Sequence, residues 1–185
     1  MAAKSKPPVI TLTTDFGLND HFAGVMKGVI LSINPDVNLV DITHCISPFN
    51  VREGAFLIAN FYSYFPEGTI HLIVVDPGVG SKRRAIIAKT RNFFFVAPDN
   101  EILSYIYKKE NDFEVYEIAN SDYFIKPVSQ TFHGRDIFAP VAAHISKGVP
   151  CNKFGKRIDD FIYISINEPV IKKNIMMGEI ACIDR

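Results

Sequence analysis

Signals for strands and helices alternate along roughly the first 150 residues, and this alternation constrains the fold more than any other feature. The strand signals are short β-branched and apolar runs, and the helix signals place apolar residues three and four positions apart, on one face. Chains with this alternation form a layered α/β domain with a largely parallel sheet. The predicted strands cover residues 8–14, 37–43, 69–75, 84–90, 92–96 and 113–118, and the predicted helices cover 19–33, 50–65, 101–108 and 136–147.

Composition and charge narrow the class of protein. Of 185 residues, 48% are hydrophobic and 22% are charged, which allows a packed core in one ordinary domain. Twenty Lys and Arg residues balance twenty Asp and Glu residues, so the sequence lacks the positive charge that favours nucleic acid or anionic membranes. No apolar run approaches the roughly 20 residues that span a bilayer, and residues 1–6 are too short and polar for a signal peptide. We therefore expect a cytoplasmic protein that binds neither nucleic acid nor membranes.

The sequence has no pattern typical of a disulfide framework or a metal site. Its three cysteines, Cys45, Cys151 and Cys182, are scattered along the chain. No histidine has another histidine or a cysteine three or four positions away. We therefore expect a site without metal.

Acidic side chains end the first and third predicted strands, where an open α/β sheet binds its ligands. Asp15 lies in TTDFG, and Asp20 follows five residues later, near the start of a helix. Asp76 ends the most apolar strand and precedes PGVG, whose glycines permit a ligand to approach the backbone. This loop lacks the Walker and dinucleotide-binding spacings. Structural roles remain open, with Asp15 and Asp76 as turn formers and Asp20 as a charge at a helix N-terminus.

A basic run, Lys82 to Arg84, follows the PGVG loop. One interpretation is a solvated surface. The other is that a guanidinium holds Asp76 ionised and fixes its orientation, which is useful if that carboxylate acts on a water molecule.

Two more polar segments follow strands or precede helices. Residues 129–136, SQTFHGRD, carry six hydrogen-bonding side chains in eight positions. His133 stands at the helix entrance, either as a structural or as a functional histidine. We expect Asp136 to cap the helix, with Arg135 paired or solvated. Asn100 ends the cluster APDN, for which a capping turn is the simpler explanation.

Four of these segments together, in this order and spacing, resemble the S-adenosylmethionine (SAM) hydrolases, also called SAM hydroxide adenosyltransferases, which are relatives of fluorinases and chlorinases. The segments are TTDFGLNDHFAGVMKG, HLIVVDPGVGSKRRA, APDN and TFHGRDIFAP. The resemblance runs from about Val9 to Arg185, and it is specific because four separate segments agree.

The resemblance implies an activity and a set of site residues. The family uses water to cleave S-adenosyl-L-methionine to adenosine and L-methionine without a metal, so SAM is the expected substrate and no cofactor is expected. The family's catalytic Asp-Arg-His set falls on Asp76, Arg83 and His133. Its substrate-binding positions fall on Asp15 for the ribose, on Asp20 for the methionine end, and on Phe16 and Asn100.

The resemblance also implies a homotrimer and a two-domain architecture. Residues 1–168 correspond to the N-terminal α/β domain, and residues 169–185 to a linker and the truncated start of a small β-barrel domain. Two local departures stand out: Glu101 replaces the glycine of the usual APDNG, and His21-Phe22 stands where an acidic-aromatic pair is more usual.

Two alternative functions remain open. Without a barrel domain, the chain could be a non-catalytic remnant that binds an adenosyl ligand. A SAM-dependent halogenase is less favoured, because an ionised Asp76 would repel halide. Halogenating relatives also carry an aromatic residue at the position of Asp76.

Overall fold

The computed structural model describes residues 6–166, 168–178 and 180, which form a seven-stranded sheet, covered by helices on both faces, and a two-stranded sheet. The large sheet contains β1 (Val9–Thr14), β2 (Asn38–Thr43), β3 (Ile70–Val74), β4 (Ala85–Thr90), β5 (Phe94–Pro98), β6 (Phe113–Glu117) and β7 (Arg157–Ile158). The α-helices are α1 (Phe22–Ile33), α2 (Val51–Phe61), α3 (Ser104–Lys109) and α4 (Ala139–Ser146). Among the described residues, no helix is long and apolar enough to cross a membrane.

The strand order of the large sheet is β2-β1-β3-β5-β4-β6-β7. Neighbours from β2 to β5 pair in parallel, and β4 pairs with β5 and β6 in antiparallel fashion, as β6 does with β7. Only β4 and β7 therefore run against the other strands of this sheet. The predicted α/β class with a largely parallel sheet is confirmed.

The two faces of the sheet carry separate apolar layers. On one face, α1 and α4 pack on β1 and β3 through residues such as Met26, Val141 and Leu72. On the other face, α2 and α3 contribute Ile58 and Ile106 to a second cluster. β3 is buried along its whole length, as expected for a strand covered by helices on both sides.

Helix α2 begins as the sequence predicts but ends earlier. Asn50 accepts a hydrogen bond from the Glu53 backbone N–H at 3.1 Å, a cap that stabilises a helix by about 1 kcal/mol. The α-helix ends at Phe61 and tightens into a 3₁₀ turn, Tyr62–Tyr64. Phe65 is extended because the proline that follows it disfavours helical backbone at that position.

The last described segment forms a hairpin of β8 (Val170–Lys172) and β9 (Ile175–Met177). Lys173 and Asn174 between them both adopt positive φ, as type I′ hairpin turns require. This hairpin lies in the segment that the resemblance assigns to the start of a β domain, and residues 181–185 lie outside the described residues. The division into domains at residues 168 and 169, and the barrel beyond it, stay predictions.

Candidate active site

The carboxyl ends of β1 and β3 open into a cavity of about 300 Å³. The two strands pair in parallel with Thr14 beside Val74, so the residues that follow them emerge at the same edge of the sheet. The cavity is lined by Asp15, Phe16, Pro48, Phe49, Val74, Asp76, Val79, Thr131, Phe132, His133 and Gly134.

Arg83 joins Asp76 to His133 beside this cavity. Its Nε lies 2.8 Å from Asp76 Oδ1 and 2.9 Å from Oδ2, and its Nη2 also contacts Oδ2. The same Nη2 lies 2.9 Å from His133 Nδ1. The Arg83 and Asp76 side chains are only 9% and 5% exposed, so water screens this ion pair poorly. The fold therefore brings together the three residues that the resemblance assigns to catalysis.

The contact with Arg83 fixes the tautomer of His133. A guanidinium only donates hydrogen bonds, so His133 Nδ1 must accept and the ring proton must sit on Nε2. Burial lowers the pKa of His133, and the positive charge of Arg83 lowers it further. His133 is therefore neutral near pH 7 and offers an N–H from Nε2.

Asp15 presents a second carboxylate to the same cavity. Its Oδ2 accepts a hydrogen bond from the Phe49 backbone N–H at 2.8 Å. Burial raises the pKa of Asp15 above its ordinary value, and the Phe49 N–H opposes that rise. Asp15 and Asp76 are close enough for the charge of Asp76 to add to the rise.

The basic run 82–84 divides between solvent and structure. Lys82 is exposed, as a solvated run predicts. Arg83 orients Asp76, and Arg84 pairs with Asp99 at 2.8 Å and with Asp160 at 2.7 Å. The prediction that a guanidinium holds Asp76 is confirmed in its geometry.

The second glycine of PGVG is required where two loops of the site meet. Gly80 adopts a φ of +76°, and a Cβ at this position would lie 2.2 Å from the Gln130 carbonyl oxygen. No side chain fits that space. The loop after β3 can therefore lie directly on the backbone of the loop that carries His133.

The prediction that Asp136 caps a helix is wrong. The helix here begins with a π-helical turn, Gly134–Phe138, and Asp136 lies inside that turn with its side chain fully buried. The carboxylate accepts a hydrogen bond from the Ser129 backbone N–H at 2.8 Å and pairs with Arg135 at 2.6 Å. Asp136 therefore holds the loop that precedes His133.

The remaining predicted binding residues are placed differently. Phe16 lines the cavity, and its ring contacts the Phe132 ring edge-on at 5.9 Å. Asp20 is exposed in the loop before α1, and neither it nor Asn100 is among the described residues that line the cavity. Asn100 Nδ2 donates to the Val75 carbonyl at 2.9 Å, which ties the end of β5 to the end of β3. The ligand-binding roles of all these residues stay predictions.

Glu101 adopts a φ of +77°, a left-handed backbone conformation. Glycine populates this region without the steric penalty that a side chain brings. The conformation explains why the resemblance leads one to expect glycine after APDN.

The sequence interpretation missed the loop after β2. Pro48 and Phe49 line the cavity, and Phe49 combines a φ of +62° with a side chain that is 66% exposed. The signal was available, because a polar and proline-containing segment follows β2. Since β2 is the parallel neighbour of β1, its end opens at the same edge of the sheet.

Over the described part of the chain, no group of three or more His, Cys, Asp or Glu side chains could hold a metal ion. The prediction of a site without metal or cofactor stays a prediction.

Most of the chain matches a known protein family. Residues 10–155 match the family described as SAM hydroxide adenosyltransferase N-terminal domain. The chain belongs to this family. Asp76, Arg83 and His133 lie within the matched residues.

Named relatives and a solved structure are similar over most of the chain. An (R)-S-adenosyl-L-methionine hydrolase of Salinispora tropica is 38% identical over 166 residues, which cover 89% of this chain and 63% of the relative. A protein of the same name from Methanocaldococcus jannaschii is 43% identical over 142 residues, which cover 74% and 52%. A crystal structure described as an uncharacterized conserved protein from Thermotoga maritima has a TM-score of 0.89 and 44% identity, with 95% of this chain and 68% of that chain covered. The chain thus spans less than two thirds of the length of these named hydrolases.

Proposed function

We propose that the chain hydrolyses S-adenosyl-L-methionine to adenosine and L-methionine. The observation that carries this proposal is the single Arg83 guanidinium that contacts both Asp76 and His133 at the edge of a cavity. Membership of the SAM hydroxide adenosyltransferase family and the names of the similar hydrolases support the same substrate.

The charges around the cavity suit this substrate. The sulfonium of SAM is cationic, and Asp15 and Asp76 are carboxylates on the cavity wall. In this proposal Asp15 accepts hydrogen bonds from the ribose hydroxyls, each worth about 1.5–3 kcal/mol because one partner is charged. Such contacts hold C5′ of the ribose in line with a water molecule.

The reaction breaks the C5′–S bond and forms a C5′–O bond. The electron pair of the broken bond leaves with sulfur, and methionine departs as a neutral thioether, so the leaving group needs no proton. The demanding step is removal of a proton from water, whose pKa is about 15.7 in bulk. The site must therefore supply a base and stabilise developing negative charge.

The hydrogen-bond directions support a division of roles among His133, Asp76 and Arg83. His133 Nδ1 is occupied by Arg83 and Nε2 carries the ring proton, so in this proposal His133 shares that proton between the Ser129 backbone carbonyl and the water oxygen, which it orients. Asp76 accepts the proton, since a carboxylate retains free lone pairs when it is bound by one guanidinium. Arg83 supplies the positive charge that stabilises the nucleophile.

The experiment uses the chain as it is, incubated with SAM in H₂¹⁸O and followed by liquid chromatography and mass spectrometry. Adenosine with ¹⁸O in its 5′-hydroxyl, together with unlabelled methionine, is the expected result. Chloride and fluoride are varied in parallel, and a 5′-halogenated nucleoside would identify a halogenase instead. SAM binding without turnover would identify the non-catalytic remnant.

A pair of histidine variants supplies the control. His133→Asn keeps an acceptor for Arg83 but removes the Nε2 proton, and a loss of about 10²-fold in kcat is expected. His144→Asn changes a half-buried histidine of α4 that contacts Tyr123 and does not line the cavity, and it should leave kcat unchanged. Equal activity of the two variants would contradict the proposal. A homotrimer and a cytoplasmic location stay predictions.

A further inference from the structure

A row of contacting polar side chains lies behind the cavity and ends one residue before Asp15. Thr14 Oγ1 lies 2.8 Å from His44 Nδ1, and His44 Nε2 lies 3.1 Å from Asp41 Oδ1. The other oxygen of Asp41 pairs with the Lys27 ammonium. Three side chains from β1 and from the end of β2 thus connect the surface of the molecule to the start of the Asp15 loop.

The chemistry of the partners fixes which atoms in this row donate and which accept. The negative charge of Asp41 Oδ1, 3.1 Å from His44 Nε2, disfavours a ring lone pair there, so the ring proton sits on Nε2 even though this contact does not have hydrogen-bond geometry, and Nδ1 accepts from the Thr14 hydroxyl. The Thr14 oxygen is then free to accept the Phe16 backbone N–H, which lies 3.3 Å away. The side chain of Thr14 therefore closes the turn in which Asp15 stands.

A β-bulge makes the arrangement possible. The pairing of β1 with β2 steps from Leu12 beside Asp41 to Thr13 beside Thr43, which leaves Ile42 without a direct partner. Residues three positions apart in a regular strand point to opposite faces, and one extra residue brings them to the same side. The bulge thereby lets Asp41 and His44 meet.

These residues act through Asp15 and do not contact a ligand themselves. Thr14 is fully buried and His44 is 3% exposed, so a hydroxyl, an imidazole and a carboxylate in a row do not form a nucleophilic triad here. His44 also accepts the Gly17 backbone N–H at its carbonyl oxygen, at 2.6 Å. The histidine therefore holds both ends of the turn from residue 14 to residue 17.

We propose that Asp41, His44 and Thr14 position the Asp15 carboxylate for the ribose hydroxyls, with His44 as the central positioning residue. This inference rests on the ribose-binding role of Asp15 in the proposed function. It adds a set of residues that act on ligand affinity through the shape of one turn.

The test measures the binding of adenosine and of 2′,3′-dideoxyadenosine to the chain by calorimetry. Thr14→Val removes the hydroxyl and keeps the shape of the side chain. It should weaken adenosine binding about five- to tenfold, the effect of one misplaced hydrogen bond, and change dideoxyadenosine binding less than twofold. Thr14→Ser should restore most of the affinity.

Two further variants ensure that the test does not depend on Thr14→Val alone. His44→Gln interrupts the row of side chains at its centre. It should weaken the binding of adenosine and change the binding of dideoxyadenosine little, as Thr14→Val does. Thr13→Val is the matched control, because the Thr13 hydroxyl is buried without a hydrogen-bond partner among the described residues. It should leave both affinities unchanged.

Equal weakening for both ligands would mean a general structural role and would overturn the inference, as would unchanged adenosine affinity in Thr14→Val and His44→Gln. Failure of the parent chain to bind adenosine would overturn it too. SAM turnover is scored separately. Absent turnover with the expected binding pattern would refute the hydrolase proposal and uphold the positioning role, and turnover without that pattern would do the reverse.

Discussion

Two cavities of the molecule differ in size and in what lines them. The cavity beside α3 and β6 measures about 430 Å³, against about 300 Å³ at the ends of β1 and β3. Aromatic side chains dominate the larger one, namely Tyr107, Phe113, Phe161 and Tyr163. The smaller one gathers Asp15, Asp76 and His133. Convergent ionisable groups, and not volume, therefore mark the candidate chemistry.

Polar groups in the two cavities also differ in their partners. Asp76 and His133 are both bound by Arg83. The Tyr107 hydroxyl is buried and has no hydrogen-bond partner among the described residues. Burial raises the pKa of Tyr107 and keeps its hydroxyl neutral. The smaller cavity gathers paired charged groups, and the larger one is mostly aromatic and apolar, with an unpaired buried hydroxyl at Tyr107.

We expect the largest effect on activity from replacing the two carboxylates of the smaller cavity. On the proposed function, Asp76→Ala removes the base and should lower kcat about 10²–10⁴-fold. Asp15→Ala removes a ribose contact and should mainly raise KM. Steady-state kinetics with SAM measures both. Equal effects of the two variants, confined to KM, would undo the assignment of roles.

Gly80→Ala should separate the loops of the smaller cavity. The new Cβ would meet the Gln130 carbonyl oxygen, so we expect the free energy of unfolding to fall by about 2–4 kcal/mol. Gly68→Ala is the matched control, because Gly68 has a similar φ of +84° but no atom within 4 Å of the added Cβ. It should lose only about 1–2 kcal/mol. Urea unfolding measures both, and similar losses would show that the contact with Gln130 matters little.

The smaller cavity can be compared with the core through histidine titration. NMR should give His133 a pKa below the ordinary value of 6.5, because burial and Arg83 disfavour its charged form. Burial without a charged partner lowers the pKa of His71, in the middle of β3, to about 3. His133→Asn identifies the resonance that belongs to the site.

The sign of the pH dependence follows from that lowered pKa. Below pH 6.5 the unfolded chain takes up a proton before folded His133 does, so this contribution to stability is complete above pH 6.5 and is lost as pH falls through the folded pKa. The proposed function needs neutral His133, so kcat/KM should be constant above pH 6.5 and fall below the same pKa. A His133 pKa above 6.5 would contradict the neutral His133 that the proposed function needs.

Glu101→Gly tests the cost of the left-handed backbone in the segment between β5 and α3. Glycine relieves the left-handed backbone at φ +77° and should raise the free energy of unfolding by about 0.5–1 kcal/mol. Glu67→Gly, at an exposed turn position without positive φ, should instead lower it. Thermal unfolding of both variants makes the comparison, and a loss of stability in Glu101→Gly would show that its side chain contributes more than its backbone costs.

The smallest effect is expected in the larger cavity. Tyr107→Phe removes a buried hydroxyl without a described partner, so stability should stay constant or rise by up to about 1 kcal/mol. Turnover of SAM should not change. A stability loss above about 1 kcal/mol would reveal a hydrogen bond at this hydroxyl and would make the two cavities more alike.

The strands and most helices could be predicted from the sequence because their signals are local. β1, β4 and β6 fall within one residue or so of their predicted bounds, since apolar periodicity and turn residues lie within the elements themselves. Asp136 could not be predicted, because its place depends on a π-helical turn beside residue 129. The polar segment after β2 was recognisable in the sequence, but the position of Phe49 in the cavity depends on the neighbour that β2 acquires in the sheet.

The alternating α/β class, the acidic residues at strand ends and the motifs of the family can all be read from the amino-acid sequence. They depend on the spacing and type of residues near one another in the chain. The contacts of Arg83 with both Asp76 and His133, and the support of the Asp15 loop by His44, become visible only in the folded molecule. Hydrogen bonds between residues 30 or 50 positions apart depend on strand order and register, which no local pattern specifies.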